Sequence, residues 1–374
     1  MSDTPKFKVT IDNITVEVPA GTTILNAARL IGGDVTPPAM CYYSKLENSG
    51  GKCRTCLVEV SKGSEKDPRP MPKLVASCRT TVMDGMEVKN ITSERVIDAR
   101  KGVVEFLLIN HPLDCPVCDQ AGECDLQDLS YEHGSEQSRL DFPKRTFEPE
   151  DIGPNIQLHM NRCIMCYRCV FTAEQLTKRR EHGVLERGWD SQISTYLNKA
   201  LDNEFIGNII DVCPVGALTD KTFRFKQRVW FTKPMDAHRD CPTCSGKVRL
   251  WFRGEEVFRV TGRKDKWGEV EEFICNTCRF DKKRASDWVI EGPTKVNRHS
   301  VISQNHYRGA VEAQKDLIRE IIGKEPKMLL DIHTISDVNR PEIHLSEIHG
   351  PSHSNDFLPN QQLEGQRKLE VGKK

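Results

Sequence analysis

The sequence predicts an α+β protein built from several small modules, and three observations support this prediction. Residues 6–18, KFKVTIDNITVEV, alternate apolar and polar side chains on both sides of Asp12-Asn13, as the two strands of a β-hairpin do. Residues 247–260, KVRLWFRGEEVFRV, show a second pattern of this kind, with a turn at Gly254. The third observation is that residues 111–124 carry three cysteines and a histidine with little apolar filling around them, which indicates a metal.

The first module is expected to have the order of a β-grasp ferredoxin. Gly21-Thr22-Thr23 supplies a turn and an N-cap for a short helix, ILNAARLIG, which ends at Gly32-Gly33. CLVEV at 56–60 would be the next strand. The stretch 62–73 is polar and contains three prolines, so it is expected to be a surface loop.

Further along the chain, the spacing of apolar residues predicts one long helix, and the composition predicts a polar tail. Residues 93–112 have Ser93 as an N-cap and read as an amphipathic helix that leads to His111. Its predicted apolar positions are Val96, Ile97, Val103, Val104, Leu107 and Leu108. After about residue 293 the chain is polar, and only 310–323 has helical periodicity. The rest of this tail is expected to pack on a partner or to be disordered.

Composition narrows the class of protein. The 374 residues include 54 acidic and 54 basic side chains, so net charge gives no reason to expect nucleic acid or an anionic membrane surface as a partner. The longest apolar stretch, 103–109, is far shorter than the roughly 20 residues that span a bilayer. The N-terminus lacks the pattern of a secretory signal, so we expect a reducing cytoplasm, where fifteen cysteines are not a disulfide framework.

The cysteines and His111 divide into four sets of four by their spacing. The first set has one distant cysteine, a C-x2-C pair and another distant cysteine: Cys41, Cys53, Cys56 and Cys78. This arrangement is typical of a plant-type [2Fe-2S] cluster, and Gly50 and Gly51 would bring backbone N–H groups close to its sulfurs. Structural thiols and tetrahedral zinc are the alternatives to this interpretation.

The third set has the most specific local spacing. It consists of a C-x2-C-x2-C motif and a remote Cys-Pro: Cys163, Cys166, Cys169 and Cys213. That spacing predicts one [4Fe-4S] cluster, as in bacterial ferredoxins. The fourth cysteine that a two-cluster ferredoxin would need is absent, because Ala173 stands at its position.

The second set is the segment with one histidine: His111, Cys115, Cys118 and Cys124. Zinc accepts three thiolates and an imidazole readily, so spacing alone leaves zinc open. Its position between two iron–sulfur patterns favours a third cluster. No C-x-x-C in the chain is followed by histidine, which excludes covalent c-type haem.

Three segments together resemble the G subunit of bacterial respiratory complex I, the large iron–sulfur subunit of the proton-translocating NADH:quinone oxidoreductase. They are HPLDCPVCDQAGECDLQD, NRCIMCYRC and IIDVCPVGAL, and the resemblance runs from about residue 6 to 290. It implies that the first set holds a [2Fe-2S] cluster, and that the second and third sets each hold a [4Fe-4S] cluster. Longer members of this family continue into a large domain that resembles molybdopterin oxidoreductases. Nothing after residue 293 is long or apolar enough to be such a domain, so we expect a short form that lacks it.

The fourth set departs from the family pattern. Val248 stands at the third family position and Cys278 is additional, which gives two C-x-x-C pairs: Cys241, Cys244, Cys275 and Cys278. Two such pairs are what a zinc ribbon uses, so zinc and a further [4Fe-4S] cluster both remain open for this site.

The predicted modules follow these sets. Their bounds are 1–92 for the [2Fe-2S] domain, 93–140 for the His-containing module, 141–236 for the four-cysteine ferredoxin-like domain, 237–293 for a short metal-binding β domain, and 294–374 for the tail. No dinucleotide-binding or flavin-binding pattern is present, so no hydride-transfer site is expected on this chain.

The resemblance implies an electron relay on the cytoplasmic side of the inner membrane. Its partners would be the peripheral-arm subunits, including the FMN- and NADH-binding subunit, that subunit's [2Fe-2S] partner and a ferredoxin-like subunit near the quinone. Electrons would pass the first set, then the third, then the second. One alternative is the diaphorase iron–sulfur subunit of an NAD-linked hydrogenase or formate dehydrogenase. A remote alternative is a zinc-stapled scaffold without redox activity.

Overall fold

The structure is a computed structural model, and it describes residues 5–135, 137–139, 143–148, 150–178, 181–195, 199–281 and 283–293. The predicted tail at 294–374 and its helix at 310–323 lie outside the described residues. The chain divides into two compact units, Met1–Asp220 and Lys221–Lys374. The second unit therefore begins inside the predicted module 141–236, and the predicted module bounds stay a prediction.

The first unit begins with the predicted hairpin. Strands β1 (Lys6–Ile11) and β2 (Ile14–Pro19) pair antiparallel, with Ile11 opposite Ile14. Asp12 and Asn13 both have positive φ, of 46° and 69°, as a two-residue turn matching the twist of the strands requires. Helix α1 (Ile24–Ile31) follows, and the Thr23 hydroxyl caps it by accepting a hydrogen bond from the Asn26 N–H.

Three more strands complete a five-stranded sheet of the β-grasp type. They are β3 (Leu57–Lys62), β4 (Val75–Ala76) and β5 (Met86–Lys89), and the strand order is β2-β1-β5-β3-β4. β1 and β5 run parallel, and the other neighbours in the sheet run antiparallel. Ile24, Ala27 and Ala28 of α1 lie in one buried core with residues from four of the strands, so the predicted α+β, β-grasp fold is confirmed.

Helix α2 (Glu94–Leu108) begins after its predicted cap, Ser93, whose hydroxyl accepts a hydrogen bond from the Val96 N–H. The helix ends at Leu108, so the prediction that it continues to 112 is wrong. Val96 and Val104 are buried, but Ile97 is 37% exposed, because the buried stripe follows positions 96, 100 and 104. Arg100 occupies the middle of that stripe and is buried.

The rest of the first unit consists of short elements joined by loops. These elements are α3 (Asp125–His133), β6 (Glu150–Asp151), β7 (Ile156–Leu158), α4 (Arg168–Thr177), β8 (His182–Leu185), β9 (Gln192–Thr195), α5 (Asn208–Val212) and β10 (Leu218–Asp220). β10, β7 and β6 form one small antiparallel sheet, and β8 and β9 form a hairpin. Elements this short bury little surface against one another, so their arrangement depends on the loops that join them and on the contacts those loops make.

The second unit is built on a four-stranded antiparallel sheet of order β13-β12-β11-β14. Its strands are β11 (Lys233–His238), β12 (Val248–Arg253), β13 (Glu256–Thr261) and β14 (Val289–Pro293). The predicted hairpin is confirmed as β12 and β13, with Gly254 at a φ of 61° in the turn. A π-helical turn at Thr277–Asp281 carries Cys278. No helix in the described parts of either unit is long and apolar enough to cross a membrane.

Candidate metal centres

The first set lies on the loop that follows α1 and on the turn after β4. All four of its sulfurs belong to buried residues. The N–H groups of Lys52 and Cys53 each donate to the Cys41 Sγ at 3.3 Å, and the Gly51 N–H donates to the Cys78 Sγ at 3.2 Å. The expectation that glycine would bring backbone N–H groups to these sulfurs is therefore confirmed for Gly51, whose φ is +76°.

The sulfurs of the first set form two pairs. A hydrogen bond with Cys53, against the effect of burial, lowers the pKa of Cys41 to about 5, while the same contact raises the pKa of Cys53. A hydrogen bond with Cys56 lowers the pKa of Cys78, and the pKa of Cys56 rises. The four cysteines thus pair as Cys41 with Cys53 and Cys56 with Cys78. Two pairs of sulfurs are the donor set that a centre of two metal ions with two thiolates each requires.

The third set lines one cavity in the first unit. Its four cysteines share this cavity with apolar side chains that include Leu158, Ile164, Ile193 and Val215. Burial raises the pKa of all four thiols, that of Cys166 to about 12. An apolar cavity disfavours bare thiolates, whereas a metal deprotonates the thiols that coordinate it, so the donors fit a metal cluster better than isolated thiols.

Two residues inside the C-x2-C-x2-C motif have backbone conformations that the sequence does not signal. Met165 and Tyr167 have φ values of 53° and 65°, in the left-handed region that non-glycine residues seldom occupy. They alternate with the cysteines and turn the backbone so that all three thiols line one cavity. Left-handed conformations of this kind each cost on the order of 1–2 kcal/mol, and they concentrate at functional sites.

The second set lines a separate cavity. His111 comes three residues after the end of α2, Cys115 and Cys118 lie on the following turn, and Cys124 immediately precedes α3. Burial lowers the pKa of His111 to about 4, so the imidazole is neutral. Its Nδ1 atom is buried and has no hydrogen-bond partner among the described residues. A neutral ring with an unpartnered nitrogen fits a metal ligand.

The second and third sets share one segment of chain. Cys213 belongs to the third set, while Gly216, three residues later, lines the cavity of the second. A β-carbon at position 216 would lie 2.1 Å from the Cys118 Sγ. The Pro214 carbonyl accepts a hydrogen bond from the Asp125 N–H at the start of α3. The segment 213–216 therefore fixes the two cavities side by side.

The fourth set, in the second unit, gathers all of its sulfurs around one point. All four Sγ atoms lie within 4.8 Å of one another. Four of the Sγ–Sγ distances are 3.6 Å for Cys241–Cys278, 3.6 Å for Cys244–Cys278, 3.7 Å for Cys244–Cys275 and 3.8 Å for Cys241–Cys275. Among the described residues, the other three sets do not gather their ligand atoms within this limit.

Arg239 borders the fourth set and was not predicted. Its Nε and Nη2 atoms donate to the Cys278 Sγ at 3.2 and 3.1 Å, and Nη2 also donates to the Cys241 Sγ at 3.5 Å. Its guanidinium lies 5.5 Å from the centre of the Trp288 ring, which holds it in place. Hydrogen bonds from a cation stabilise thiolates, so this arrangement suits sulfurs that are ionised.

Three family models match successive parts of the chain. Residues 4–93 match a 2Fe-2S iron–sulfur cluster binding domain, residues 100–139 match the NADH-ubiquinone oxidoreductase-G iron–sulfur binding region, and residues 153–219 match the ferredoxin-like domain of NADH-quinone oxidoreductase subunit 3. A curated relative from Rickettsia bellii, the G subunit of NADH-quinone oxidoreductase, is 40% identical over 316 residues, 84% of this chain and 44% of its own length. Over most of its own length, the chain is therefore similar to the G subunit of NADH-quinone oxidoreductase.

Two further similarities define the extent of the match. NADH dehydrogenase [ubiquinone] iron-sulfur protein 1, mitochondrial, from Solanum tuberosum is 42% identical over 76% of this chain and 38% of its own length. The chain thus spans less than half the length of these two relatives. The solved structure of an NAD+-reducing [NiFe]-hydrogenase in its H2-reduced state has a chain that is 28% identical, with a TM-score of 0.51, over 60% of this chain and 91% of that one.

Proposed function

We propose that this chain is a member of the G-subunit family and relays electrons within an NADH-quinone oxidoreductase. The electrons would pass through a [2Fe-2S] cluster held by the first set and [4Fe-4S] clusters held by the second and third sets. Bound clusters would supply carriers that accept and release one electron at a time. Hydride transfer from NADH is assigned to a neighbouring FMN-binding subunit. The role of this chain's own residues is to fix the carriers close together and away from water.

One observation carries the proposal. A single cluster of packed buried residues contains cysteines from all three of these sets: Cys41 and Cys53 from the first, Cys124 from the second and Cys166 from the third. Cys163 and Cys213 pack against the same cluster. Separate structural metal sites have no need of a shared core, whereas an electron relay needs its carriers close together in a medium of low dielectric constant.

The partners and location follow from the family rather than from the geometry. We propose contacts with the other peripheral-arm subunits: the FMN- and NADH-binding subunit, its [2Fe-2S] partner, and the ferredoxin-like subunit near the quinone. The chain would then stand on the cytoplasmic side of the bacterial inner membrane. Co-purification with membrane-embedded subunits of the complex tests this placement.

A second candidate is the diaphorase iron–sulfur subunit of an NAD-linked hydrogenase. The observation that favours it is the fold similarity to the NAD+-reducing [NiFe]-hydrogenase chain. The identities of 40% and 42% with the G-subunit relatives, against 28% with the hydrogenase chain, support the first candidate. Isolation of this chain with a hydrogenase large subunit, and not with quinone-reducing subunits, would reverse that choice.

For the fourth set we propose a single zinc ion. Four sulfurs at about 2.3 Å from a tetrahedral zinc are separated by about 3.8 Å from one another. Four of the Sγ–Sγ distances in this set, 3.6–3.8 Å, agree with that value. Zinc has no redox chemistry, so the site would stabilise the second unit and stand outside the relay.

Anaerobic purification of the full chain, followed by metal analysis and EPR of the dithionite-reduced protein, tests these assignments together. We expect about ten irons per chain from one [2Fe-2S] and two [4Fe-4S] clusters, with about one zinc. Cys56→Ser, Cys118→Ser and Cys169→Ser should each remove a different EPR signal. A colourless protein, or a fully loaded one with about four irons or fewer, would refute the relay and favour a zinc-stapled scaffold.

A further inference from the structure

Two buried arginines border the cysteines of the third set. Arg162 precedes Cys163, and Arg168 lies between Cys166 and Cys169; the two arginines are 5% and 8% exposed. We propose that they are positioning residues: Arg168 joins the third set to the first set, and Arg162 joins the third set to the second set. Each arginine would raise the redox potentials of the clusters at the two sites that it joins. This inference rests on the proposed function.

Arg168 links the chain on both sides of Cys41 to the chain before Cys213. Its Nη2 atom donates to the Tyr42 carbonyl at 2.8 Å and to the Ala39 carbonyl at 3.1 Å, and its Nη1 atom donates to the Val212 carbonyl at 3.4 Å. One planar side chain with several fixed donors thus holds the backbones of the first and third sets together. Lysine, which presents a single ammonium group, cannot reproduce this geometry.

The charge of Arg168 has no carboxylate partner in the contacts of the described residues. All three of its acceptors are carbonyl oxygens, and its buried Nε atom has no acceptor among the described residues. A buried cation is costly unless negative charge compensates it. Thiolates that hold a bound cluster would provide that charge, because Arg168 lies between Cys166 and Cys169 in the chain and donates to carbonyls on both sides of Cys41 and to the one before Cys213.

Arg162 makes the corresponding link on the other side. Its Nε and Nη2 atoms lie 3.0 and 2.9 Å from the Asp114 Oδ2, and the same side chain lines the cavity of the second set. Asp114 lies between His111 and Cys115 in the chain. Because this carboxylate compensates the charge of Arg162, we expect the electrostatic effect of Arg162 to be weaker than that of Arg168.

The two links predict different redox effects. Reduction adds a negative charge to a cluster, and a buried cation stabilises the reduced form because little water screens it. Loss of Arg168 should lower the potentials of the first-set and third-set clusters and leave the second-set cluster unchanged. Loss of Arg162 should lower those of the second and third sets, by a smaller amount, and leave the first set unchanged.

The test is an EPR-monitored redox titration of the full chain, purified anaerobically, as wild type, Arg168→Gln and Arg162→Gln. Arg54→Gln is the matched control. Arg54 lies between the first-set cysteines Cys53 and Cys56, just as Arg168 lies between two third-set cysteines, but the Arg54 side chain is exposed. We expect the crossed pattern of shifts in the two test variants and a smaller shift at the first set in Arg54→Gln. Arg168→Lys should keep potentials closer to wild type than Arg168→Gln does, but lower the thermal stability.

Several outcomes overturn the inference. They are equal shifts at all three clusters in Arg168→Gln, no shift at all, or a shift in Arg54→Gln as large as that in Arg168→Gln. If Arg168→Gln loses clusters, loss confined to the first and third sets supports the proposal, and loss of all three overturns it. A wild-type chain without iron–sulfur signals would instead refute the proposed function, so the two failures are distinguishable.

Discussion

Gly50 lies so close to Cys78 that a β-carbon at position 50 would come within 3.2 Å of the Cys78 Sγ. The same β-carbon would lie 3.3 Å from the Tyr42 ring, and the φ of Gly50 is +91°. Both steric contact and backbone conformation therefore require glycine here. The turn that carries Gly50 and Gly51 is thus shaped around the sulfur of Cys78, and the geometry of the first set depends on it.

Gly50→Ala should displace the Cys78 sulfur and remove the [2Fe-2S] cluster. We expect a loss of about two irons per chain and of one EPR signal, with the other signals retained. Gly21→Ala is the matched control, because Gly21 has a similar φ, +88°, but nothing lies within 4 Å of its added β-carbon. Equal iron loss in both variants would mean that backbone strain, and not contact with Cys78, is responsible.

Gly216→Ala should act on the second set in the same way. Its β-carbon would stand 2.1 Å from the Cys118 Sγ, closer than packed atoms approach, and 3.1 Å from the Gln120 Cβ, which is a tight contact. We expect loss of the His-containing cluster, about four irons per chain, measured by metal analysis and EPR. Gly183→Ala is the control, because Gly183 lies in β8 and nothing is within 4 Å of a β-carbon added there. This variant should keep its full iron content. Full iron content in Gly216→Ala would contradict the structure at this site.

The elements that the sequence predicts well are those with short-range signals. The hairpin around Asp12-Asn13, the Thr23 and Ser93 caps and the turn at Gly254 each depend on neighbouring residues, and each is present. The grouping of cysteines by spacing agrees with the cavities that the second and third sets line. Spacing is informative there because a metal centre requires its ligands at a few fixed separations along the chain.

The features that sequence reasoning missed are long-range or polar. The parallel pairing of β1 with β5 joins residues far apart in the chain and leaves no local signal. Arg100 occupies the buried stripe of α2 because its guanidinium donates to the Thr55 carbonyl and the Asn90 Oδ1 atom, partners that only the fold supplies. In the sequence, Arg162 and Arg168 also read as exposed charged residues, because their hydrogen-bond partners are supplied only by the fold. The helix predicted at 310–323 lies outside the described residues.

Replacement of Cys278 tests the identity and the role of the fourth site. Cys278→Ser should release about one zinc per chain and expose residues 221–293 to protease, because zinc binding to four thiolates contributes folding free energy directly. Iron content and the EPR signals of the first three sets should not change. Ser245→Ala is the matched control, because Ser245 follows the proposed ligand Cys244 in the chain. This variant should keep its zinc. Loss of about four irons in Cys278→Ser would instead assign a [4Fe-4S] cluster to this site.

His182 gives the first unit a dependence of stability on pH. The residue is fully buried in β8, and both of its ring nitrogens lack hydrogen-bond partners among the described residues. Burial lowers its pKa from 6.5 to about 4, so the folded state keeps the ring neutral while the unfolded state takes up a proton below about pH 6.5. The free energy of unfolding should therefore fall as the pH falls from 6.5 towards 4, and this contribution should be absent above about pH 7.5.

His182→Leu removes this titration and keeps an apolar side chain in the strand. Between pH 7.5 and 5.5 the wild type should lose about 1 kcal/mol more of its free energy of unfolding than the variant does, since protonation of the unfolded state accounts for that difference. Urea unfolding of both proteins under anaerobic conditions at the two pH values measures it. The ligand thiols and the other histidines titrate in both proteins, so their effects cancel in the comparison. An equal loss in the two proteins would mean that His182 binds its proton as readily in the folded chain as in the unfolded one.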